Sequence, residues 1–419
     1  MLTTNILDIF KNNKFYIILF LLFLLYPISL VFGPALIEVT IFFSILTFSF
    51  SFLLLKKKLF LEYSIVNTKF IFIFLFITIC ILSSLLSDNI LHSLKSSFFS
   101  IRFVLYSLII FILLKRPNYA KKFFNFNIIF ILICLIDAYI QLIFGKNIFL
   151  YDTSTDFVTG FFFEEKKLGR FLITLSPILV GIYLSLNSRN INSKAINSLL
   201  FCIIIYFITL FTSERVSMFY SGFTFIILIL FSSRLSKKYI LFIIVPIFIS
   251  ILSYNFGVNK FDRTVKDTIN QITDNKTSFT YPSTQHRSFM ITSYKLFSNN
   301  PILGIGPNNY RNKCGEIILK DINNCSTHPH NIFFQVLSET GLLGLLIYVY
   351  YLYFILKKIF LFVFSRKNTD ASIFFLLPIL YYINPFFPSG NFFNNWFMAI
   401  GTFAIPFYLY FNEIKFKKN

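Results

Sequence analysis

Residues 15–32 read FYIILFLLFLLYPISLVF, an unbroken apolar run near the start of the chain. A helix of about 20 such residues, rising 1.5 Å each, crosses the roughly 30 Å of hydrocarbon in a bilayer. The run is too long for the apolar region of a signal peptide and contains no small-residue cleavage site. It therefore predicts a first membrane-spanning helix that also directs the chain to the membrane.

Similar runs recur along the chain, which has 419 residues, 56% of them hydrophobic and 13% charged. A soluble domain is about a quarter charged, and a β-barrel would alternate polar and apolar residues. The pattern predicts an all-α polytopic membrane protein that forms a single integral membrane domain over residues 1–419, with about twelve spans. The predicted spans are 15–32, 35–55, 70–86, 97–114, 126–144, 170–187, 197–212, 215–232, 239–256, 332–356, 370–388 and 391–411.

The net charge of +20 is unevenly distributed between the loops. Loops on one side contain clusters such as Lys56-Lys57-Lys58 and Lys237-Lys238, whereas short loops on the other side contain little beyond Lys95. Positive residues mark the cytoplasmic side, so both termini are predicted to be cytoplasmic. This distribution explains the charge without a nucleic-acid partner, and membrane lipid is the expected surrounding.

Two connections on the opposite, periplasmic side are long, and we expect both to be ordered. One runs from Gly145 to Gly169, and the other is a large periplasmic loop over residues 257–331, between spans nine and ten. The larger loop is long enough to fold back over the membrane as short helices. It contains Cys314 and Cys325, which an oxidising periplasm would allow to form a disulfide. The alternative is two free thiols.

The best candidate for chemistry is Thr327-His328-Pro329-His330-Asn331, where this loop re-enters the membrane. Histidine suits proton transfer near neutral pH, and the planar fork of arginine suits binding of phosphate oxygens. Arg215 opens the eighth span, and ionisable groups at span edges often serve function. Arg287 follows His286 in the large loop. Two histidines in His-Pro-His are too few ligands for a metal site, so no metal is predicted.

Arg102 lies inside the fourth span near its outer end. It could bind substrate with the other outer-face arginines, or it could pair with Asp137 on the fifth span in a purely structural role. The sequence leaves both interpretations open.

At these residues the chain resembles the O-antigen ligase and O-antigen polymerase superfamily. The ligase motif is His-Asn/Ser/Gln, nine residues and Gly-x-x-Gly, which His330-Asn331 and Gly341-Leu342-Leu343-Gly344 match without a gap. Arg287, followed by Asn300-Pro301-Ile302-Leu303-Gly304-Ile305-Gly306, resembles the arginine-to-Pro-x-x-Gly-x-Gly pattern of the family. Two segments depart from it. At Arg215, Glu214 is inserted between the serine and the arginine of the family's Ser-Arg motif. The segment that begins at Gly160 resembles the family's Gly-x-Phe segment, but Lys166-Lys167 replaces the Pro-Asn that usually follows.

The resemblance implies a fold similar to GT-C-type glycosyltransferases and a site at the periplasmic face of the bacterial inner membrane. It implies transfer of a glycan from a polyprenyl-pyrophosphate carrier to lipid A–core, or to another glycan acceptor, by a metal-independent inverting reaction without a cofactor. The expected catalytic residues are His330, Arg287 and Arg215. The expected substrate-binding residues are Arg102, His328, Asn331, His286 and Lys167.

Three alternatives share part of this pattern. A polymerase would join lipid-linked repeat units, and a protein O-oligosaccharyltransferase would modify serine or threonine. A transporter of lipid-linked sugars would also have many spans. The chain lacks internal repeats and its polar groups gather at one membrane face, which disfavours a transporter with a midplane site.

Overall fold

The computed structural model of the chain describes residues 14–54, 68–152, 157–186, 190–212, 214–255, 283–317, 325–365 and 369–418. Regular structure in these ranges is helical, apart from an isolated bridge between Lys146 and Asp152. The all-α prediction is confirmed. The α-helices are α1 (Lys14–Phe32), α2 (Pro34–Leu54), α3 (Thr68–Leu85), α4 (Ile90–Leu114), α5 (Tyr119–Phe144), α6 (Leu168–Ser185), α7 (Ile191–Phe211), α8 (Arg215–Ser233), α9 (Ile244–Asn255), α10 (Thr284–Asn299), α11 (Tyr310–Lys313), α12 (Ile332–Phe364), α13 (Ile373–Ile383), α14 (Asn395–Thr402) and α15 (Ile405–Lys418).

Eight of the described helices are long and apolar enough to cross a membrane, namely α1, α2, α4, α5, α6, α7, α8 and α12. They support a polytopic membrane protein, whereas the predicted count of twelve is not confirmed. The remaining predicted segments contain shorter or divided helices. Helix α13 ends at Ile383, before Asn384-Pro385, and the segment 391–411 is divided between α14 and α15. Pro406 lies in the first turn of α15, where its missing N–H is tolerated.

Helix α6 lies at the centre of the bundle and packs against α5, α7, α8 and α13. Most of its residues are buried, as expected for a helix that is apolar on all sides. Its start lies very close to the start of α8. A Cβ at Gly169 would be 2.8 Å from the Ser217 Cβ, so glycine allows this approach. The first turns of these two helices therefore lie directly against each other.

Helix α12 is interrupted at Gly341, and the turn at residues 300–306 docks into the break. The amide of Ile305 donates to the Ser338 carbonyl at 2.9 Å, and the amide of Leu342 donates to the Pro301 carbonyl at 2.8 Å. Gly341 has φ of +64°, and its ψ of −163° falls in a region that is essentially restricted to glycine. The Gly-x-x-Gly and Pro-x-x-Gly-x-Gly segments thus meet backbone to backbone.

The described part of the predicted 257–331 loop is ordered as short helices, as expected. Helix α10 has 16 residues and packs against α12, and α11 is followed by a 3-10 turn at Cys314–Glu316. Residues 257–282 and 318–324 of this predicted loop lie outside the described ranges. The single-domain organisation and the side of the membrane remain predictions.

The predicted pairing of Arg102 with Asp137 is wrong. The Arg102 Nη2 donates to the Glu38 Oε1 at 2.7 Å, because α4 packs closely against α2. Asp137 instead accepts the Ile148 backbone N–H at 2.8 Å. Arg102 also lies over the ring of Phe103, with 4.5 Å between the guanidinium carbon and the ring centroid. These contacts give Arg102 a structural role between two helices.

Candidate functional site

The His-Pro-His segment is held by the start of α12 and by the segment that follows α13. Asn331 caps α12, since its Oδ1 accepts the Phe334 N–H at 3.3 Å. Its Nδ2 donates to the Pro385 carbonyl at 2.7 Å. The Ser389 N–H donates to the His330 carbonyl at 2.9 Å. Asn331, which was expected to bind substrate, therefore orients the histidine segment through contacts within the protein.

The structure brings three of the four histidines together. The ring centroids of His328 and His330 are 4.1 Å apart, and those of His286 and His330 are 5.7 Å apart. Phe289 stacks on His330 at 5.4 Å. His286 comes from α10 and the other two precede α12, so the packing of these two helices assembles the cluster. The fourth histidine, His92, contacts the Asn308 carbonyl instead.

The ring nitrogens of His328 and His330 differ in what they contact. The Nε2 of His328 lies 3.1 Å from the Ser389 carbonyl, so this nitrogen carries the proton, and its Nδ1 lies 3.0 Å from the Thr327 hydroxyl. The Nε2 of His330 lies 3.1 Å from the Ser326 hydroxyl. Its Nδ1 makes no hydrogen bond with any residue that the structure describes. His328 is thus fully engaged in the protein, whereas His330 keeps one nitrogen for another partner.

All three clustered histidines favour the neutral form. Burial, followed by the charge of His330, lowers the pKa of His328 to about 4. Burial and His286 lower the pKa of His330, and burial and Arg215 lower the pKa of His286. A neutral imidazole can accept a proton, so the cluster is suited to general-base chemistry at neutral pH.

A cavity of about 630 Å³ lies beside this cluster and is strongly cationic. Its walls come from the start of α6, the start of α8, α11, the histidine segment and the residues before and within α14. His328 lines the cavity, whereas His330 is not among the lining residues. The lining residues are Lys166, Lys167, Arg170, Glu214, Arg215, Val216, Arg311, Thr327, His328, Gly390, Asn391, Asn394, Trp396 and Phe397.

Three residues of this wall were expected from the sequence, namely Lys167, Arg215 and His328. The Nζ of Lys167 lies 3.2 Å from the Glu165 carboxylate and 5.2 Å from the Trp396 ring centroid. Two other expected arginines do not line the cavity. Arg287 is exposed on α10 beside His286, and Arg102 makes the helix contacts described above.

Glu214 and Arg170 were missed as site residues. The Oε1 of Glu214 accepts the Gly169 N–H at 3.0 Å, and its Oε2 accepts the Ser217 hydroxyl at 2.9 Å. This carboxylate therefore joins the starts of α6 and α8. Arg170 lies one residue further along α6, with its guanidinium 4.8 Å from the Phe397 centroid. A signal was present, because Arg170 is an ionisable residue at a span edge, the criterion that selected Arg215.

A buried polar network connects the cavity with the break in α12. Asn391 lines the cavity and accepts the Gln335 amide at 2.7 Å, and Gln335 also donates to Glu339 at 3.0 Å. The Glu339 Oε1 accepts the Tyr310 N–H at 2.9 Å, just before Arg311. The network makes the geometry of the cavity wall depend on how the loop docks into α12.

Cys314 and Cys325 form a disulfide in the structure, with 5.1 Å between their Cα atoms. The bond holds the end of α11 against the segment that leads into the histidines. Ser326, next to Cys325, contacts His330. The disulfide therefore anchors a residue that orients the candidate base.

The described ranges contain no group of three or more His, Cys, Asp or Glu side chains that could hold a metal ion. Comparison with known families matched residues 199–349 to the family described as O-Antigen ligase. The matched region contains Arg215, Arg287 and the motif from His330 to Gly344. A search of the curated proteins found no match.

Proposed function

From the match over residues 199–349, which supports membership of this chain in the O-antigen ligase and polymerase superfamily, we propose that it is a membrane glycosyltransferase. In this proposal it transfers a glycan from a polyprenyl-pyrophosphate carrier to lipid A–core. One observation carries the proposal: a cationic cavity lies directly beside neutral histidines. The cations suit the pyrophosphate of the donor, and the histidines suit the hydroxyl of the acceptor.

In the proposed reaction, the acceptor hydroxyl oxygen attacks the anomeric carbon as the bond from that carbon to the phosphate oxygen breaks. The prenyl pyrophosphate leaves with the bonding electrons, and the hydroxyl proton passes to the Nδ1 of His330. Direct displacement inverts the anomeric configuration. Arg215 stabilises the negative charge that develops on the leaving group, so a bound metal is not required for this step. Ser326 and His328 orient His330.

Two points of geometry bear on the assignment of roles. His328 lines the cavity but has both ring nitrogens engaged, whereas His330, with its ring 4.1 Å from that of His328, has an Nδ1 without a hydrogen bond to any described residue. We therefore assign orientation to His328 and proton transfer to His330. Arg287 does not line the cavity, so the proposed transfer step relies on Arg215 without it.

We further propose that the chain lies in the bacterial inner membrane, with both termini in the cytoplasm and the cavity open to the periplasm. The motivation is the excess of lysine and arginine in the loops of one side. The resemblance to the O-antigen ligase and polymerase superfamily likewise implies a site at the periplasmic face.

The proposal is tested with purified protein in vesicles that contain a labelled lipid-linked glycan and lipid A–core. Wild-type protein should transfer label to the acceptor, with or without a chelator. Arg215→Ala should slow transfer about 10²–10³-fold, the typical loss when one donor to a developing charge is removed. His330→Ala should slow it about 10²–10⁴-fold while the KM for the donor stays unchanged.

The same assay separates the alternatives. Transfer to a second lipid-linked repeat unit would indicate a polymerase, and transfer to a protein would indicate an oligosaccharyltransferase. Movement of label across the vesicle without transfer would indicate a transporter. Normal turnover by His330→Ala would remove His330 from the mechanism, and a larger loss in His328→Ala would assign the proton transfer to His328. Loss of activity with chelator would show that a metal takes part.

A further inference from the structure

The guanidinium of Arg170 faces the cavity and forms no hydrogen bond with any residue that the structure describes. The side chain is partly buried at the first turn of α6 and lies over the ring of Phe397 at 4.8 Å. Within the described part of the chain, its guanidinium makes no hydrogen bond or ion pair. Partly buried arginines are usually paired, so this group is prepared for an anion that is not part of the protein.

The nearest carboxylate is committed elsewhere. Each carboxylate oxygen of Glu214 already accepts a hydrogen bond, one from the backbone N–H of Gly169 and one from the Ser217 hydroxyl. The negative charge of Glu214 stabilises the cationic form of Arg170 at the membrane edge. It does so without a hydrogen bond to the guanidinium N–H groups. A guanidinium over an aromatic ring keeps those N–H groups available at its edge for a planar acceptor such as phosphate.

Arg170 and Arg215 line the same cavity from two different helices. Glu214 precedes Arg215 directly and contacts the first turn of α6, so one carboxylate fixes the relative position of both arginines. Two guanidiniums on one wall match the two phosphates of a pyrophosphate. The expected second arginine, Arg287, does not line this cavity.

We propose that Arg170 binds the donor pyrophosphate together with Arg215, and that Glu214 positions the pair. The inference rests on the proposed glycosyltransferase function and specifies the groups that hold its donor. It also gives a role to one departure from the family motifs, because the inserted Glu214 supplies the carboxylate that holds the start of α6 beside Arg215.

The test measures binding of geranyl pyrophosphate, a short prenyl pyrophosphate, to the purified full-length protein in detergent. Arg170→Ala should weaken binding about 10- to 100-fold, as expected for a lost hydrogen bond between charged groups. Arg170→Lys should weaken it by roughly tenfold, because lysine keeps the charge but lacks the fork. The matched control is Lys295→Ala, which removes an exposed cation of α10 outside the cavity and should bind as wild type does.

Kinetics distinguish binding of the donor from a structural role. Arg170→Ala should raise the KM for the lipid-linked donor and leave the KM for the acceptor unchanged. Glu214→Gln should keep its contact with Gly169 through the amide oxygen, and it should change donor binding less than Arg170→Ala does. A rise in the acceptor KM alone would overturn the proposal.

Failure of this inference is separable from failure of the proposed function. If wild-type protein binds geranyl pyrophosphate but transfers no glycan, the transferase function fails while the Arg170 result still decides the binding site. If transfer occurs and Arg170→Ala binds the probe within twofold of wild type, Arg170 is not a donor residue. If Arg170→Ala does not fold, Arg170→Lys decides, since unchanged binding by the lysine variant would exclude a bidentate contact.

Discussion

Replacing Gly341 by alanine should undock the 300–306 turn from the break in α12. A Cβ at Gly341 would lie 2.4 Å from the carbonyl carbon and oxygen of Ile302 and 2.6 Å from the Leu303 nitrogen. These are backbone atoms, so no side-chain rotation can relieve the overlap. The φ of +64° and ψ of −163° add strain, because residues other than glycine are essentially excluded from this region.

The size of the effect follows from these two contributions. A non-glycine residue in a sparsely populated backbone region costs about 1–3 kcal/mol, and overpacking a closed contact costs about 1–3 kcal/mol more. Their sum, about 2–6 kcal/mol, is comparable with what the four backbone hydrogen bonds across this contact contribute at about 1 kcal/mol each. We therefore expect local release of the turn before global unfolding. Transfer activity should fall as well, because the turn leads to Tyr310 and the polar network beside the cavity.

Hydrogen exchange followed by mass spectrometry measures this release directly. In Gly341→Ala, the amides of Ile305 and Leu342 should exchange faster than in wild type, since both donate across the docked contact. Gly315→Ala is the matched control, because a Cβ at Gly315 would meet no atom within 4 Å. The reasoning is refuted if Gly341→Ala shows wild-type protection at both amides and wild-type thermal stability.

Three further predictions use other contacts. Cys314→Ser, or Cys325→Ser, should lower stability by about 2–4 kcal/mol in thermal unfolding, and reductant should affect wild type but neither variant. In the folded protein the pKa of His328 is lowered from its ordinary 6.5 to about 4, so the free energy of unfolding should fall by up to about 3 kcal/mol as pH drops from 6.5 towards 4. His328→Gln should flatten this pH dependence, and an equally steep profile in the variant would contradict the prediction. In intact cells, an impermeant thiol reagent should label the Lys95→Cys variant but not the Lys238→Cys variant. The reverse labelling pattern would show that the predicted topology is inverted.

Much of the fold could be predicted from the sequence because long apolar runs have few alternatives in a bilayer. Span ends were less predictable. The segment 391–411 is mostly apolar, but α14 ends at Thr402 and α15 begins at Ile405, next to Pro406. Arg102 shows the same limit. Its partner, Glu38, is distant in sequence, and the choice between Glu38 and Asp137 depends on which helices pack together.

The site was predictable where a motif fixes residues close in sequence. His328, His330 and Asn331 lie together as expected, because a short segment cannot separate them. The cavity wall was not predictable in the same way. Asn391 joins Gln335 across 56 residues, and no spacing rule connects an asparagine after α13 with a glutamine in α12. Such contacts are determined by tertiary packing, which one sequence without its fold does not specify.

The residues that match the family motif and the residues that line the cavity are largely different sets. Gly341 and Asn331 belong to the motif, yet their contacts lie within the protein and fix the histidine segment. Loss of activity in variants of these two residues would therefore indicate a disturbed position of the histidine segment, and not the loss of a catalytic group. Lys167 and Arg170 lie where the chain departs from or extends the motif, and both face the cavity. A residue that supports the fold is constrained by its neighbours, whereas a residue that faces a ligand is constrained by the charge and shape of that ligand. Differences in donor or acceptor between members of this superfamily are thus expected at the start of α6 and around α14, rather than in the glycines of α12.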